Sequence, residues 1–172
     1  MDRSVSTTIV IAVIVLALFG MIAGWRGRRA RQATLPHPLA VPSELGAELF
    51  HADVLYVATT LAGEPLNRVA VQGLGFRARA SVTVTETGVI LALDGEPDAF
   101  IPREHLRSIE RATFTIDRVV ESGGLVAIAW TLGDTEVDSY LRAAEALDPT
   151  DLIAALTSLV SDLPAPTKGT TL

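Results

Sequence analysis

The chain has 172 residues, with 14 basic and 20 acidic side chains, a net charge of −6 and no cysteine. The missing cysteines exclude disulfides, a thiolate nucleophile and thiolate metal sites. Residues 32–172 carry 9 of the basic and 19 of the acidic groups, so an anionic leaflet or a nucleic acid would repel this part of the chain. We therefore expect no nucleic-acid partner.

The first element is an apolar run at residues 7–25, "TTIVIAVIVLALFGMIAGW", which predicts a transmembrane helix. The 18 positions from Thr7 to Gly24 would span roughly 27 Å, close to the thickness of a bilayer's hydrocarbon core. Trp25 follows at the position of an interfacial aromatic residue, and four arginines come after it: Arg26, Arg28, Arg29 and Arg31. Because flanking basic residues stay cytoplasmic, the pattern predicts a single-pass plasma-membrane protein with its N-terminus outside and its C-terminal domain inside.

Two alternatives remain open for this segment. A cleaved or inverted signal would export the domain, although only Arg3 precedes the run and its end lacks small residues spaced for cleavage. Gly20 and Gly24 form a G-x-x-x-G pattern, which can pack two membrane helices into a homodimer, although glycine is common in such helices.

Composition divides the remaining chain into a linker, one domain and a tail. Residues 1–6 are a short N-terminal tail, and residues 26–42 form a basic and then proline-rich linker, which predicts a semi-extended spacer. Residues 43–163 are enough for one compact core. Residues 164–172 predict a disordered tail.

The domain is predicted to be mainly β. After a short helix predicted in "PSELGAELFHA" (42–52), apolar and polar residues alternate in "DVLYVATT" (53–60) and "FRARASVTVT" (76–85), with a loop "GEPLNR" (63–68) between them. The second stretch places Phe76 with the buried residues and its arginines on the solvent face. Further strands are predicted in "TETGVILAL", "AFIP", "HLRSIERA", "TFTIDRVV", "LVAIAWTL" and "TEVDSYLR".

Helical spacing appears near Asp148, where an N-cap, a proline and an acid precede an apolar stripe of Leu152, Ile153, Leu156, Leu159, Val160 and Leu163. Six or seven antiparallel strands and one C-terminal helix predict a capped β-barrel or sandwich.

This order of elements, and the segments "AFIPREHLRSIE" and "GLVAIAWTLGDTEVDSYLRAA", resemble bacterial pleckstrin-homology-like (PH-like) domains. The stretches "YVATTLAGEPLNRVAVQGLGFRARASVTVT" and "TIDRVVESGG" more closely resemble an actinobacterial family of single-span membrane proteins with such a domain. Members of that family are often labelled only as export or membrane proteins, or as transporters. The resemblance covers about residues 7–163 and implies the fold more than the activity.

Five residues are the predicted ligand or partner site: Asn67 and Arg68 of the first loop, Arg77 and Arg79 of the strand after it, and Arg118 of the later stretch "TFTIDRVV". Guanidinium groups suit phosphate or carboxylate groups. The alternative is structural: Arg77 and Arg79 would pair with acids on neighbouring strands, and Arg68 would hold the loop by bonding to carbonyl groups.

Other patterns predict no catalytic, cofactor or metal site. The sequence from Gly73 to Ala78 fits a dinucleotide fingerprint, but alternating β-branched residues follow it where a helix is needed. Three acids, Asp134, Glu136 and Asp138, occupy alternate positions and so share one face of a strand. That face is more simply interpreted as exposed to solvent than as a cation site. No nucleophile with a matching base is visible.

Two hypotheses follow for the function. The first is a non-enzymatic, membrane-tethered binding or scaffold module that recognises a protein partner at the inner leaflet. The second is an accessory subunit of a transport or export assembly, which would need polytopic partners because one span cannot line a pathway.

Overall fold

The computed structural model describes residues 3–32, 34–71, 73–112, 114–115, 118–119, 124–144 and 147–161, and it describes no side chains at 3–6, 28–31, 114–115, 118–119 and 161. The chain divides into two units, Met1–Thr34 and Leu35–Leu172.

The first unit is one helix, α1 (Arg3–Gln32). Within it, Thr7–Gly27 is long and apolar enough to cross a membrane, by length and composition, and none of its apolar window is buried. The helix continues beyond residue 25, where the sequence predicts the linker to begin, because Arg, Ala and Gln are good helix formers.

The second unit is mainly β, as predicted. Among the described residues its strands are β1 (Glu48–Leu61), β2 (Glu64–Arg68), β3 (Ala78–Thr85), β4 (Gly88–Leu93), β5 (Ala99–Pro102), β6 (Leu106–Ala112), β7 (Phe114–Thr115), β8 (Arg118–Val119), β9 (Leu125–Leu132) and β10 (Thr135–Ala143). A 3-10 helix, Arg103–His105, connects β5 to β6, and the C-terminal helix is α2 (Pro149–Ser161).

One antiparallel sheet of eight strands has the order β5-β4-β3-β1-β10-β9-β6, with β2 paired to β1 outside this path, while β7 and β8 pair separately. No ladder joins β5 to β6 in the described part of the chain, so the sheet does not close into a barrel.

Two local predictions are wrong. The segment 42–52 forms no helix; β1 begins at Glu48, because the alternation of buried Ala52 and Val54 with exposed Asp53 continues back along the chain and pairs with β3. The predicted loop "GEPLNR" contains β2, which forms a hairpin with β1 around Gly63 at a φ of 72°.

Strand β1 belongs to both halves of the sheet. Its first part pairs with β3 and its second part with β10, and a bulge lies between Tyr56 and Ala58. The bulge shifts the alternation by one residue, so Val54 and Tyr56 face the core before it and Thr59 faces the core after it. The outward-facing side chains of the sheet therefore form two surfaces. We call the surface on β1, β3 and β4 the first outer face, and the surface on β10, β9 and β6 the second outer face.

Helix α2 covers the core beside β6. Leu152, Leu156 and Leu159 are buried in the same cluster as the inward residues of the sheet. The carboxylate of Asp148 accepts a hydrogen bond from the Thr150 amide at 2.8 Å, which confirms the predicted N-cap and lowers the pKa of Asp148. Leu163, predicted in the same stripe, lies outside the described residues.

The proline-rich segment lies along the second unit from Leu35 onward. Leu35 packs against the core, and Leu39 forms a bridge to β5 through the Phe100 amide, which donates to the Leu39 carbonyl at 2.8 Å. The ring of Pro36 lies so close to Gly133 that a Cβ atom added to residue 133 would clash with it. The segment thus covers part of the open edge of β5, which otherwise would expose unpaired backbone groups.

Buried polar side chains form a connected chain of hydrogen bonds across the core. Trp130 Nε1 lies 2.9 Å from Ser139 Oγ, Ser139 Oγ lies 2.6 Å from Thr59 Oγ1, and Thr59 Oγ1 lies 2.7 Å from the Tyr56 hydroxyl. The Tyr56 hydroxyl donates to the Leu74 carbonyl at 2.8 Å. This polar chain joins β9, β10 and β1 to the segment between β2 and β3.

Replacing Gly88 by alanine should destabilise the domain by about 1–3 kcal/mol, as overpacking does. A Cβ atom at Gly88 would overlap the Ile101 carbonyl of β5 and come within 3.0 Å of the Phe100 ring, and the carbonyl is backbone that cannot move aside. Urea unfolding followed by circular dichroism measures the effect. Ala92→Val, on the solvent side of the same strand, is the control, since surface changes usually stay within about ±0.5 kcal/mol. Equal stability of both variants would contradict the close approach of β4 and β5.

Candidate functional site

A groove runs over the first outer face and contains one predicted site residue, Arg79. Cross-strand register places Leu55 beside Arg79 and Asp53 beside Ser81, and Ser81 beside Ala92 of β4. The groove has a volume of about 670 Å³. Its floor is low because Ser81 and Ala92 are small.

The groove has mixed charge. The exposed guanidinium of Arg79 shares its walls with the carboxyl groups of Asp53, Asp94 and Asp98. A ligand here would meet acids on both sides of the arginine, so a group that carries both charges, such as a polypeptide segment, suits the groove better than a bare phosphate.

Sequence reasoning missed Arg142, which lies next to the first outer face on the neighbouring strand. Arg142 of β10 is directly opposite Leu55, and Leu55 is directly opposite Arg79, so the two arginines flank one leucine. Their backbones are two strands apart, about 10 Å. No local signal in the sequence indicates this pairing, because residues 79 and 142 meet only through the strand between them.

Arg68 and Asn67 occupy a different position from Arg79. Arg68 pairs with Thr60 and Arg79 with Leu55, and those two β1 residues are five positions apart, about 17 Å along a strand. The half-buried Arg68 directs Nη1 at the Gly75 carbonyl at 3.5 Å, as in the structural alternative. Asn67 donates to the Glu64 carboxylate at 2.8 Å at the surface.

Arg77 is exposed, and its neighbour Phe76 is 67% exposed. The prediction that Phe76 is buried is therefore wrong, because β3 begins only at Ala78 and the alternation does not extend to residue 76. Both residues follow a firmly held segment, since Leu74 is fully buried and its carbonyl accepts hydrogen bonds from the Tyr56 hydroxyl and the Thr59 amide. Arg118 belongs to β8, and its side chain lies outside the described residues.

The stretch that fits a dinucleotide fingerprint forms a turn and a strand. Gly73 has a φ of 74°, and β3 follows at Ala78 where a nucleotide site would need the N-terminus of a helix. The nucleotide interpretation therefore fails on geometry.

A second concavity, which we call the alanine trough, lies on the second outer face. Its floor is Ala127 and Ala129 of the middle strand β9, and longer side chains on β6 and β10 form its walls: Ser108, Glu110, Asp138 and Tyr140. Register places Ala127 between Glu110 and Tyr140, and Ala129 between Ser108 and Asp138. The trough has a volume of about 440 Å³.

The acids of this face differ in their environment. Glu136 forms an ion pair with Arg107 at the surface. Partial burial and then the like charges of Glu110 and Glu136 raise the pKa of Asp138, although the Gly63 amide donates a hydrogen bond to its carboxylate. Among the described residues, no group of three or more histidine and acidic side chains could hold a metal ion.

Comparisons with known proteins identify a family and also find similarity to solved structures. Residues 33–157 match the family model described as "Bacterial PH domain-like". The C-terminal domain of an unknown protein from Leishmania infantum is similar at 9% sequence identity and a TM-score of 0.43, over 81% of this chain and 98% of that one. No curated protein matches.

Proposed function

We infer that this chain, which belongs to the bacterial PH domain-like family because that family's model matches residues 33–157, is a membrane-anchored binding module without catalytic activity. One observation supports this inference: in the same chain, an unburied helix long enough to span a membrane is followed directly by a PH-like domain. The PH-like fold is generally used for binding. In this proposal the domain lies at the cytoplasmic face of the plasma membrane, as the four arginines after the span predict.

The proposed partner is a protein segment, and the proposed contact surface runs from the groove at Arg79 to Arg77. A charged segment would meet the acids and the arginine of the groove, while the exposed ring of Phe76 offers apolar area beside it. Of the other predicted residues, Arg68 would support the surface by holding the Gly75 carbonyl, and Asn67 and Arg118 remain predictions.

The membrane helix has a further proposed role as a homodimer interface. Apart from the backbone of the helix itself, no described atom lies within 4 Å of the Cβ positions of Gly20 and Gly24, so a second helix could approach closely on that side.

Replacing Arg77 and Arg79 together by glutamine should weaken capture of the partner about tenfold or more, because a charged hydrogen bond contributes about 1.5–3 kcal/mol. The measurement is quantitative pull-down by the full chain from gently solubilised membranes. Arg107→Gln and Lys168→Gln together are the matched control, since they remove the same charge from other parts of the sequence. Melting temperature should be nearly unchanged in the first pair, since both side chains are exposed.

Equal capture by both double variants would contradict the contact surface. The same experiment tests the alternative function, an accessory subunit of a transport or export assembly. Consistent recovery of a polytopic channel or permease with the wild-type chain would favour that alternative.

A further inference from the structure

The alanine trough on β6, β9 and β10 combines four features that the proposed contact surface does not use. Its floor is apolar, two carboxylates stand on its walls, one wall carries an aromatic ring, and it lies on the second outer face of the sheet. We propose that the alanine trough is a second docking surface, which binds a lysine- or arginine-bearing segment of a partner protein.

The shape of the trough follows from the register. Ala127 and Ala129 leave the middle strand low, while the flanking strands carry Glu110 on one side and Asp138 and Tyr140 on the other. The flanking strands lie two strand spacings apart, about 10 Å, which is wide enough for an extended chain to lie between the walls. The methyl groups of the floor can pack against the alkyl stem of a lysine or arginine.

The charges of the walls are not neutralised by any ion pair among the described residues. In the described part of the chain, no cation forms an ion pair with Glu110 or Asp138, whereas Glu136 has Arg107. Arg111 lies at the edge of the trough, but its guanidinium donates to the Thr150 hydroxyl at 2.7 Å. Burial is the main cause of the raised pKa of Asp138, and the charges of Glu110 and Glu136 add to it; a cation placed between Glu110 and Asp138 would relieve this added repulsion.

The aromatic wall and the polar contacts favour an organic cation over a metal ion. Tyr140 is half-buried beside the trough and presents a ring, which attracts ammonium and guanidinium groups. The Gly63 amide fixes the carboxylate of Asp138, and the Ser108 hydroxyl lies 3.3 Å from the Glu110 carboxylate, so both acids are held in place. Within the described residues the acids here are too few to surround a metal ion.

The test uses the full chain in nanodiscs of zwitterionic lipid and a dye-labelled peptide, acetyl-Gly-Lys-Ala-Lys-Ala-Lys-Gly-amide, with fluorescence anisotropy as the readout. We expect Glu110→Gln with Asp138→Asn to weaken binding of this peptide at least tenfold. The matched control is Glu104→Gln with Asp134→Asn, which removes the same charge at exposed positions outside the trough and should change binding less than twofold.

A third variant tests the shape without changing charge. Ala129→Leu fills the floor on a solvent-facing position of a strand and should also weaken peptide binding at least tenfold, while circular dichroism remains that of the wild type. Equal weakening by the trough and control pairs would overturn the proposal, because it would show attraction to the acidic domain as a whole. Displacement of the peptide by n-butylammonium at the same cation concentration would also overturn it, since the surface would then bind isolated cations.

Discussion

Replacing Ser139 by alanine is expected to lower the free energy of unfolding of the domain by about 2–6 kcal/mol, since a buried polar group left without its hydrogen bond costs about 1–3 kcal/mol and two such groups result. Ser139 is fully buried and bonds to both Trp130 Nε1 and Thr59 Oγ1. Removal of the hydroxyl leaves the indole N–H without an acceptor and the threonine without its donor.

The direction of every hydrogen bond in this polar chain is determined by its two ends. An indole N–H can only donate and a carbonyl oxygen can only accept, so the protons point from Trp130 towards Leu74. Ser139 therefore donates to Thr59, Thr59 donates to Tyr56, and each hydroxyl accepts one bond and donates one. Burial raises the pKa of Tyr56 far above its usual value, so the phenol stays protonated and able to donate at neutral pH.

The measurement is urea unfolding of the full chain in a mild detergent, with Trp25 replaced by phenylalanine so that Trp130 is the single tryptophan. Ser158→Ala is the matched control, because this exposed hydroxyl on α2 bonds only to the Ala155 carbonyl and its loss should cost within about ±0.5 kcal/mol. A cost for Ser139→Ala as small as that of the control would mean that the polar chain does not form.

The repeating patterns of the sequence predicted the elements that depend on local periodicity. The alternation in β3 and β10 and the cap and stripe of α2 are visible in the residues themselves, and all three are present in the structure. The helix predicted in 42–52 was wrong because a few apolar residues at mixed spacing fit either structure, and pairing of Glu48–Tyr56 with β3 decided for a strand.

The candidate surfaces depend on register between distant strands, which no single segment contains. Alternation alone predicts that Arg79 is exposed. Its neighbours Asp94 and Arg142, however, are brought near it only because β3 lies beside β4 and because β1 pairs with both β3 and β10. The alanine trough likewise requires Ala127 and Ala129 to lie between β6 and β10. The sequence alone presents the two alanines as ordinary members of an apolar strand.

Moving the arginines that follow the membrane helix should reverse the orientation of the whole chain. The wild type is expected to show activity of a cytoplasm-only reporter fused to its C-terminus and none of a reporter that is active only outside. Replacing Arg26, Arg28, Arg29 and Arg31 by serine and adding lysines at Ser4 and Ser6 transfers the positive charge to the other end of the span. Because basic residues near a span are retained on the cytoplasmic side, most of the C-terminal reporter should then be outside.

The control changes four arginines of the domain to serine: Arg77, Arg79, Arg107 and Arg142. This control removes the same positive charge as replacing the four arginines after the span. Its residues lie more than 40 positions beyond the span, whereas flanking charge acts over only about 15–20 residues. Orientation should therefore be unchanged in the control. Activity of the outside reporter in the wild type would contradict the topology, and with it the cytoplasmic location on which capture of a partner at the inner leaflet depends.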